Sequence, residues 1–63
     1  MAVPVFTPAP LEWRLLARAC QACAARERER AAACPDRRNA RDFIISAEGY
    51  EQLAAKCMEM ARG

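Results

Sequence analysis

The feature that most constrains this chain is a stripe of small and apolar residues in its second half, after the Cys34-Pro35 step. The members of the stripe recur at alternating steps of three and four: Ala40, Phe43, Ala47, Tyr50, Ala54, Cys57 and Ala61. Such spacing places all of them along one face of an α-helix. Pro35 suits a first helical position, and Asp36 suits the positive end of the helix dipole. We therefore predict a helix over about residues 35–61.

A second helical segment precedes this stripe. Pro10 opens the run LEWRLLARACQACAARERERAAA, which contains no other proline and no glycine. A residue that precedes proline is pushed away from helical backbone, so the segment should end before Cys34-Pro35. We predict a helix over about residues 10–32 and a turn over about 33–35. The stripe expected to face the second helix is Trp13, Leu16, Cys20 and Cys23, continued by Glu27 and Arg30.

Two helices joined by so short a connection must fold back antiparallel. The predicted fold is all-α, a two-helix hairpin over residues 10–63. The uncharged segment 1–9, with two of the four prolines, is expected to form an extended arm. A turn at 33–35 would place Cys20 opposite Ala47, with Cys57 about 15 Å along the hairpin from Cys20.

Few side chains are available for catalysis. The chain has no histidine, a single serine, Ser46, and a single threonine, Thr7, so Ser-His-Asp and Cys-His arrangements are excluded within one chain. A di-iron bundle built on E-x-x-H is excluded for the same reason. The two glycines, Gly49 and Gly63, are too far apart for a phosphate-binding loop. We predict that the protein is not an enzyme and needs no cofactor.

The charge pattern does not favour nucleic-acid binding. The formal net charge is only +2, and arginines alternate with glutamates over residues 26–30. The alternative is a basic cluster around the turn for an acidic partner or phosphate, formed by Arg28, Arg30, Arg37, Arg38 and Arg41. The chain has neither an apolar run of about 18 residues nor a signal-peptide pattern. We expect a soluble, cytoplasmic protein without a membrane span.

Four cysteines, Cys20, Cys23, Cys34 and Cys57, include a C-x-x-C pair. Zinc and redox C-x-x-C motifs lie at turns or helix starts, whereas this pair lies inside an alanine-rich helix. We expect Cys20, Cys23 and Cys57 to be small buried residues and Cys34 to be an ordinary N-cap at the turn. The alternative is a metal-binding or redox-responsive module built from all four cysteines, with Cys34 as the most reactive thiol.

The second helix carries more apolar surface than one short partner helix can cover. Uncovered surface of this kind marks association, and two hairpins forming a four-helix bundle is the simplest closed solution. We predict a non-catalytic interaction module, a small accessory subunit or regulator that binds a larger protein or a second copy. The predicted interaction residues are Phe6, Trp13, Phe43, Ile44, Ile45, Tyr50, Leu53, Met58 and Met60. Gly49 is either simply tolerated or marks close approach of a neighbouring backbone.

The segments Pro35-Asp36-Arg37-Arg38 and Ala47-Glu48-Gly49-Tyr50-Glu51-Gln52-Leu53-Ala54 resemble a pattern in small helical-hairpin proteins of alphaproteobacteria. The resemblance covers about the last 30 residues. The chain departs from this pattern at Cys34-Pro35-Asp36, where Asp-Pro is usual. It also departs in having the four cysteines and the proline-containing arm. The resemblance implies a hairpin and a GC-rich bacterial or phage source, without an activity.

Overall fold

A computed structural model describes residues 9–62 as two helices, α1 from Pro10 to Ala33 and α2 from Arg37 to Arg62. The helices pack along each other and are joined by residues 34–36. The prediction of an all-α helical hairpin is confirmed for this part of the chain. Phe6 and the rest of the predicted arm up to residue 8 lie outside the described residues.

The start of α1 is fixed by backbone geometry. Ala9 is extended, with φ −68° and ψ 159°, and its carbonyl accepts the first helical hydrogen bond from the Trp13 N–H at 3.0 Å. Pro10 follows as the first helical residue, where its missing N–H costs nothing. Ala9 has no side-chain acceptor, but its own N–H donates to Glu12 Oε1 at 3.4 Å. One backbone donor at this helix start is thereby satisfied.

The structure and the prediction differ in the residue that caps α2 at the turn. Cys34 is extended, as expected before proline, and it ends α1 with its N–H donating to the Ala31 carbonyl at 3.3 Å. Asp36 caps α2, because its Oδ1 accepts from the Arg38 N–H at 2.9 Å. Aspartate is among the best N-cap residues, which moves the helix start from Pro35 to Arg37. The assignment of Cys34 as the N-cap of α2 was therefore wrong.

The contact between the helices is built from alanine. Ala17, Ala24, Ala47 and Ala54 are between 0% and 3% exposed, and they are the only buried residues in the described chain. We call these four residues the alanine seam. Each helix contributes two of them, seven residues apart, which places them on one line along the helix. The predicted α2 stripe is confirmed here, because both of its central alanines are buried and Phe43 and Cys57 are half-buried.

The predicted α1 stripe is confirmed at Trp13, Cys20 and Glu27, which are half-buried, and is wrong at Leu16 and Arg30, which are exposed. Ala17 and Ala24 face α2, whereas Leu16 is 42% exposed and Cys23 lies at the edge of the contact. Small side chains let two helix backbones approach closely, and a leucine between them would hold them apart. Arg30 also lies outside the contact, where Nη1 pairs with Glu27 Oε1 at 3.5 Å. Glu27 therefore pairs within α1.

The register between the helices also differs from the prediction. The Arg28–Glu51 ion pair places Cys20, eight residues before Arg28, at nearly the same level as Cys57, six residues after Glu51. Cys57 is close enough to affect the pKa of Cys20, and it lies ten residues further along α2 than the expected neighbour Ala47. Part of the difference comes from the turn, which extends to residue 36. The lean of each Cα–Cβ bond toward the N-terminus of its own helix shifts the contacting residues by about one position on each helix, which accounts for a smaller part. The predicted separation of 15 Å between Cys20 and Cys57 is wrong.

Gly49 lies in an unbroken part of α2, and an added Cβ there would meet no atom within 4 Å. Within the hairpin, no neighbouring backbone requires a glycine at this position.

The alanine seam yields a direct test with neighbouring residues. Ala54→Leu places a large side chain between the helices, and overpacking of this kind costs about 1–3 kcal/mol of unfolding free energy. Ala55→Leu makes the same change at the adjacent exposed position and should alter stability by less than about 0.5 kcal/mol. Urea denaturation followed by circular dichroism measures both variants. Equal effects at the two positions would show that Ala54 does not lie between the helices.

Candidate functional site

The two helices form a single layer, so the hairpin presents two broad faces, one on each side of the alanine seam. Helical periodicity assigns each exposed residue to a face. The first face, which we call the charged face, is marked by the Arg28–Glu51 ion pair that crosses from α1 to α2. By periodicity it also carries Arg14, Arg18, Arg41 and Glu48. Ile44 and Met58 lie on this face among the charged residues.

The Arg28–Glu51 ion pair is a two-point contact. Arg28 Nη2 donates to Glu51 Oε1 at 2.7 Å, and Arg28 Nε donates to Glu51 Oε2 at 3.2 Å. The hydrogen bond from Arg28 lowers the pKa of Glu51, and the same bond raises the pKa of Arg28. Both side chains remain 47% exposed, so the stabilisation is reduced by solvent screening. Glu51 therefore joins the two helices through its side chain.

The opposite face is poor in charge along its centre, and we call it the apolar face. It is formed by Leu16 and Cys23 on α1 and by Ser46, Leu53 and Met60 on α2. By helical periodicity, these residues lie beside the alanine seam on the same side of the hairpin. Leu53 is 49% exposed and Met60 is 54% exposed. Charged residues lie at the rim of this face, including Arg26 and Lys56. An apolar strip with a charged rim is the usual composition of a protein interface.

A shallow open groove of about 430 Å³ lies on the α2 side of the apolar face. Its walls are Ser46, Tyr50 and Leu53, and its floor is Gly49, which has no side chain. The groove is too open to enclose a small molecule, since ligand pockets cover most of the ligand surface. Its shape and lining suit a side chain from another protein surface.

The predicted interaction residues do not form one cluster. Tyr50, Leu53 and Met60 lie together on the apolar face, and Ile45 is on the outer side of α2, 57% exposed. Trp13 and Phe43 are half-buried beside the seam. Sequence reasoning missed three exposed leucines of α1, Leu11, Leu15 and Leu16. The seven-residue repeat of Ala17 and Ala24 would have indicated that Leu16 lies beside the contact between the helices and not within it.

Three of the four cysteines lie close together. Cys20 contacts Cys57 across the helices, and Cys23 is three residues from Cys20 on α1. Partial burial raises the pKa of the Cys20 thiol, and negative charge on Cys57 or Cys23 would raise it further. Cys34 is separate, with Sγ donating to the Asp36 carbonyl at 3.4 Å in the turn. Within residues 9–62, no group of three or more histidine, cysteine or acidic side chains is positioned to hold a metal ion.

The basic cluster considered around the turn is partly neutralised. Of its five arginines, Arg28 pairs with Glu51 and Arg30 pairs with Glu27. Asp36 lies between the two helices at the turn and caps α2 beside Arg37 and Arg38. These acids reduce the positive potential that a phosphate or an acidic partner would require.

Comparison with protein families, curated proteins and solved structures found no match to this chain. The likeness to alphaproteobacterial hairpin proteins therefore stays a prediction. Neither α1 nor α2 has an apolar stretch long enough to cross a bilayer in the part of the chain described here.

The ion pair predicts a pH dependence of stability. The pKa of Glu51 is lower in the folded than in the unfolded chain, so its stabilisation is present above the ordinary glutamate pKa. It is lost as the pH falls through the lowered, folded value. The difference in urea midpoint between the native protein and Glu51→Gln should therefore be largest near neutral pH and shrink in acid. Glu48→Gln serves as the control, because Glu48 interacts with Arg28 through charge alone, with no hydrogen bond to it in the described residues. An equal pH dependence in both variants would contradict the hydrogen-bonded pair.

Proposed function

We propose that this protein is a non-catalytic interaction module, a small accessory subunit or regulator that binds a protein partner through the apolar face. The observation that supports this most is the division between buried and exposed residues. Only alanines are buried between the helices, whereas the large aliphatic side chains lie outside them. Because these leucines and methionines are exposed to water, covering them with a partner would contribute favourable hydrophobic free energy.

The energetics favour a partner. A buried methyl or methylene group contributes only about 0.8 kcal/mol, so a seam of four alanines is a weak core. Chains of about 60 residues generally need a disulfide, a metal, oligomerisation or very good helix packing. A large aliphatic side chain moved from water into an interface contributes about 1.5–3 kcal/mol. Covering Leu16, Leu53 and Met60 therefore adds more burial energy than the seam itself.

The partner that best fits the apolar face is another pair of helices. A flat layer of two helices has room for a second layer of the same kind, which gives a four-helix bundle. A second copy of the chain supplies such a layer and presents the same patch, as a two-fold interface requires. The Gly49 floor of the groove would admit a side chain from the opposing layer.

A cytoplasmic location is part of the proposal. Its support is the position of Cys20 and Cys23 inside α1, which differs from the loop-rich cysteine frameworks that hold small secreted domains together.

A matched pair of substitutions tests association through the apolar face. Leu53→Glu places a charge on this face, and we expect it to abolish association of the purified protein, measured as molar mass by light scattering at increasing concentration. Ile45→Glu makes a similar change at a more exposed position of the same helix, on its outer side, and should leave the mass unchanged.

Both proteins should show the same helical circular dichroism, because neither position contributes to the alanine seam. A 7.0 kDa mass at every concentration for the native chain would contradict self-association. Equal loss of association in the two variants would show that the apolar face is not the interface.

A further inference from the structure

We propose that Cys20 and Cys57 form a redox-responsive pair that closes to a disulfide between α1 and α2 when a low-molecular-weight disulfide such as oxidised glutathione is present. The proposal rests on the register of the two helices and does not depend on the interaction function. Cys20 lies eight residues before Arg28 and Cys57 lies six residues after Glu51, so the Arg28–Glu51 ion pair places the two cysteines within about 3 Å of the same level along the hairpin. Both cysteines are half-buried.

The distance between the helices suits a disulfide. Helices packed through small side chains lie at the low end of the usual range, about 8 Å between axes, and the Cα atoms lie about 2.3 Å from each axis. Facing positions can therefore bring two Cα atoms within about 4–6 Å, which is the span of a disulfide. The buried alanines Ala17 and Ala54 lie three residues from Cys20 and Cys57 respectively and hold the helices close at this level.

The alternative pairings are less favourable. Cys20 and Cys23 are on the same helix, where Cβ atoms three residues apart are about 5–6 Å from each other. A disulfide needs Cβ atoms about 3.5–4.5 Å apart, so this pair would distort α1. Cys34 is fourteen residues from Cys20 along the same α-helical rise, about 21 Å away. Of the three pairings open to Cys20, the link to Cys57 across the helices therefore requires the least movement.

The reaction is a pair of thiol–disulfide exchanges. The Cys57 thiolate attacks one sulfur of oxidised glutathione, which forms a mixed disulfide and releases one glutathione thiolate. The Cys20 thiolate then attacks the Cys57 sulfur and releases the second glutathione. Two cysteine thiols lose two protons and two electrons, and one glutathione disulfide is reduced to two thiols.

The closed disulfide would fasten the hairpin near its open end. Cys57 is five residues from the last residue of α2, and the link closes a loop that contains the whole turn. Constraint of the unfolded chain by such a loop raises the melting temperature, here on the order of 10 °C. Oxidation would thus convert a hairpin that can open into one that stays closed.

The test incubates the full chain with defined ratios of reduced and oxidised glutathione and traps free thiols with an alkylating agent. We expect a species lighter by about 2 Da before alkylation, carrying two alkyl groups in place of four. Peptide mapping should identify a Cys20–Cys57 cross-link, and the oxidised protein should melt at a higher temperature than the reduced one.

Cys20→Ser and Cys57→Ser should each abolish this species, whereas Cys23→Ser and Cys34→Ser should retain it. A Cys20–Cys23 link as the main product, or intermolecular dimers through Cys34 alone, would overturn the proposal. So would retention of all four free thiols at a glutathione ratio that oxidises an unfolded control peptide containing the same cysteines.

Discussion

The close contact of four alanines along one line is the interaction on which the rest of this structure depends. Alanine favours helix formation and leaves little side chain between two backbones, so α1 and α2 lie close together over their length. A larger residue at any of these positions would force the helices apart. Hydrophobic burial is accordingly small, and the Asp36 cap and the Arg28–Glu51 pair support the turn and one face of the hairpin.

The same contact decides what the surface carries. Because the fully buried residues are all alanines, leucines and methionines project from the layer. The ion pair between the helices lies on one face, and Leu16, Leu53 and Met60 lie on the other. One face is held by ion pairing and is well solvated. The other presents Leu16, Leu53 and a groove floored by Gly49. Close packing also brings Cys20 against Cys57, so the proposed interface and the proposed thiol pair have a common structural origin.

Much of the fold could be predicted from local chemistry. Proline at 10, the Cys34-Pro35 break and the three-four spacing of α2 were enough for two helices and a reversal. One error lay in the choice of the α1 stripe. Leu16 was assigned to the contact between helices from its spacing to Trp13 and Cys20, although Ala17 and Ala24 repeat at seven residues and are the buried positions. The preference of Asp36 for the N-cap was also underestimated, and this shifted the turn and contributed to the wrong register for Cys20 and Cys57.

The central claim, that alanines form the contact between the helices, is tested most directly by nuclear Overhauser effects in protein labelled with ¹³C at alanine methyl groups. The methyls of Ala17 and Ala24 should show effects to protons of α2, and those of Ala47 and Ala54 to protons of α1. All four should be protected from a soluble paramagnetic agent. If the methyls are instead exposed to the agent and the contacts between helices run through Leu16 and Leu53, this account of the fold is contradicted.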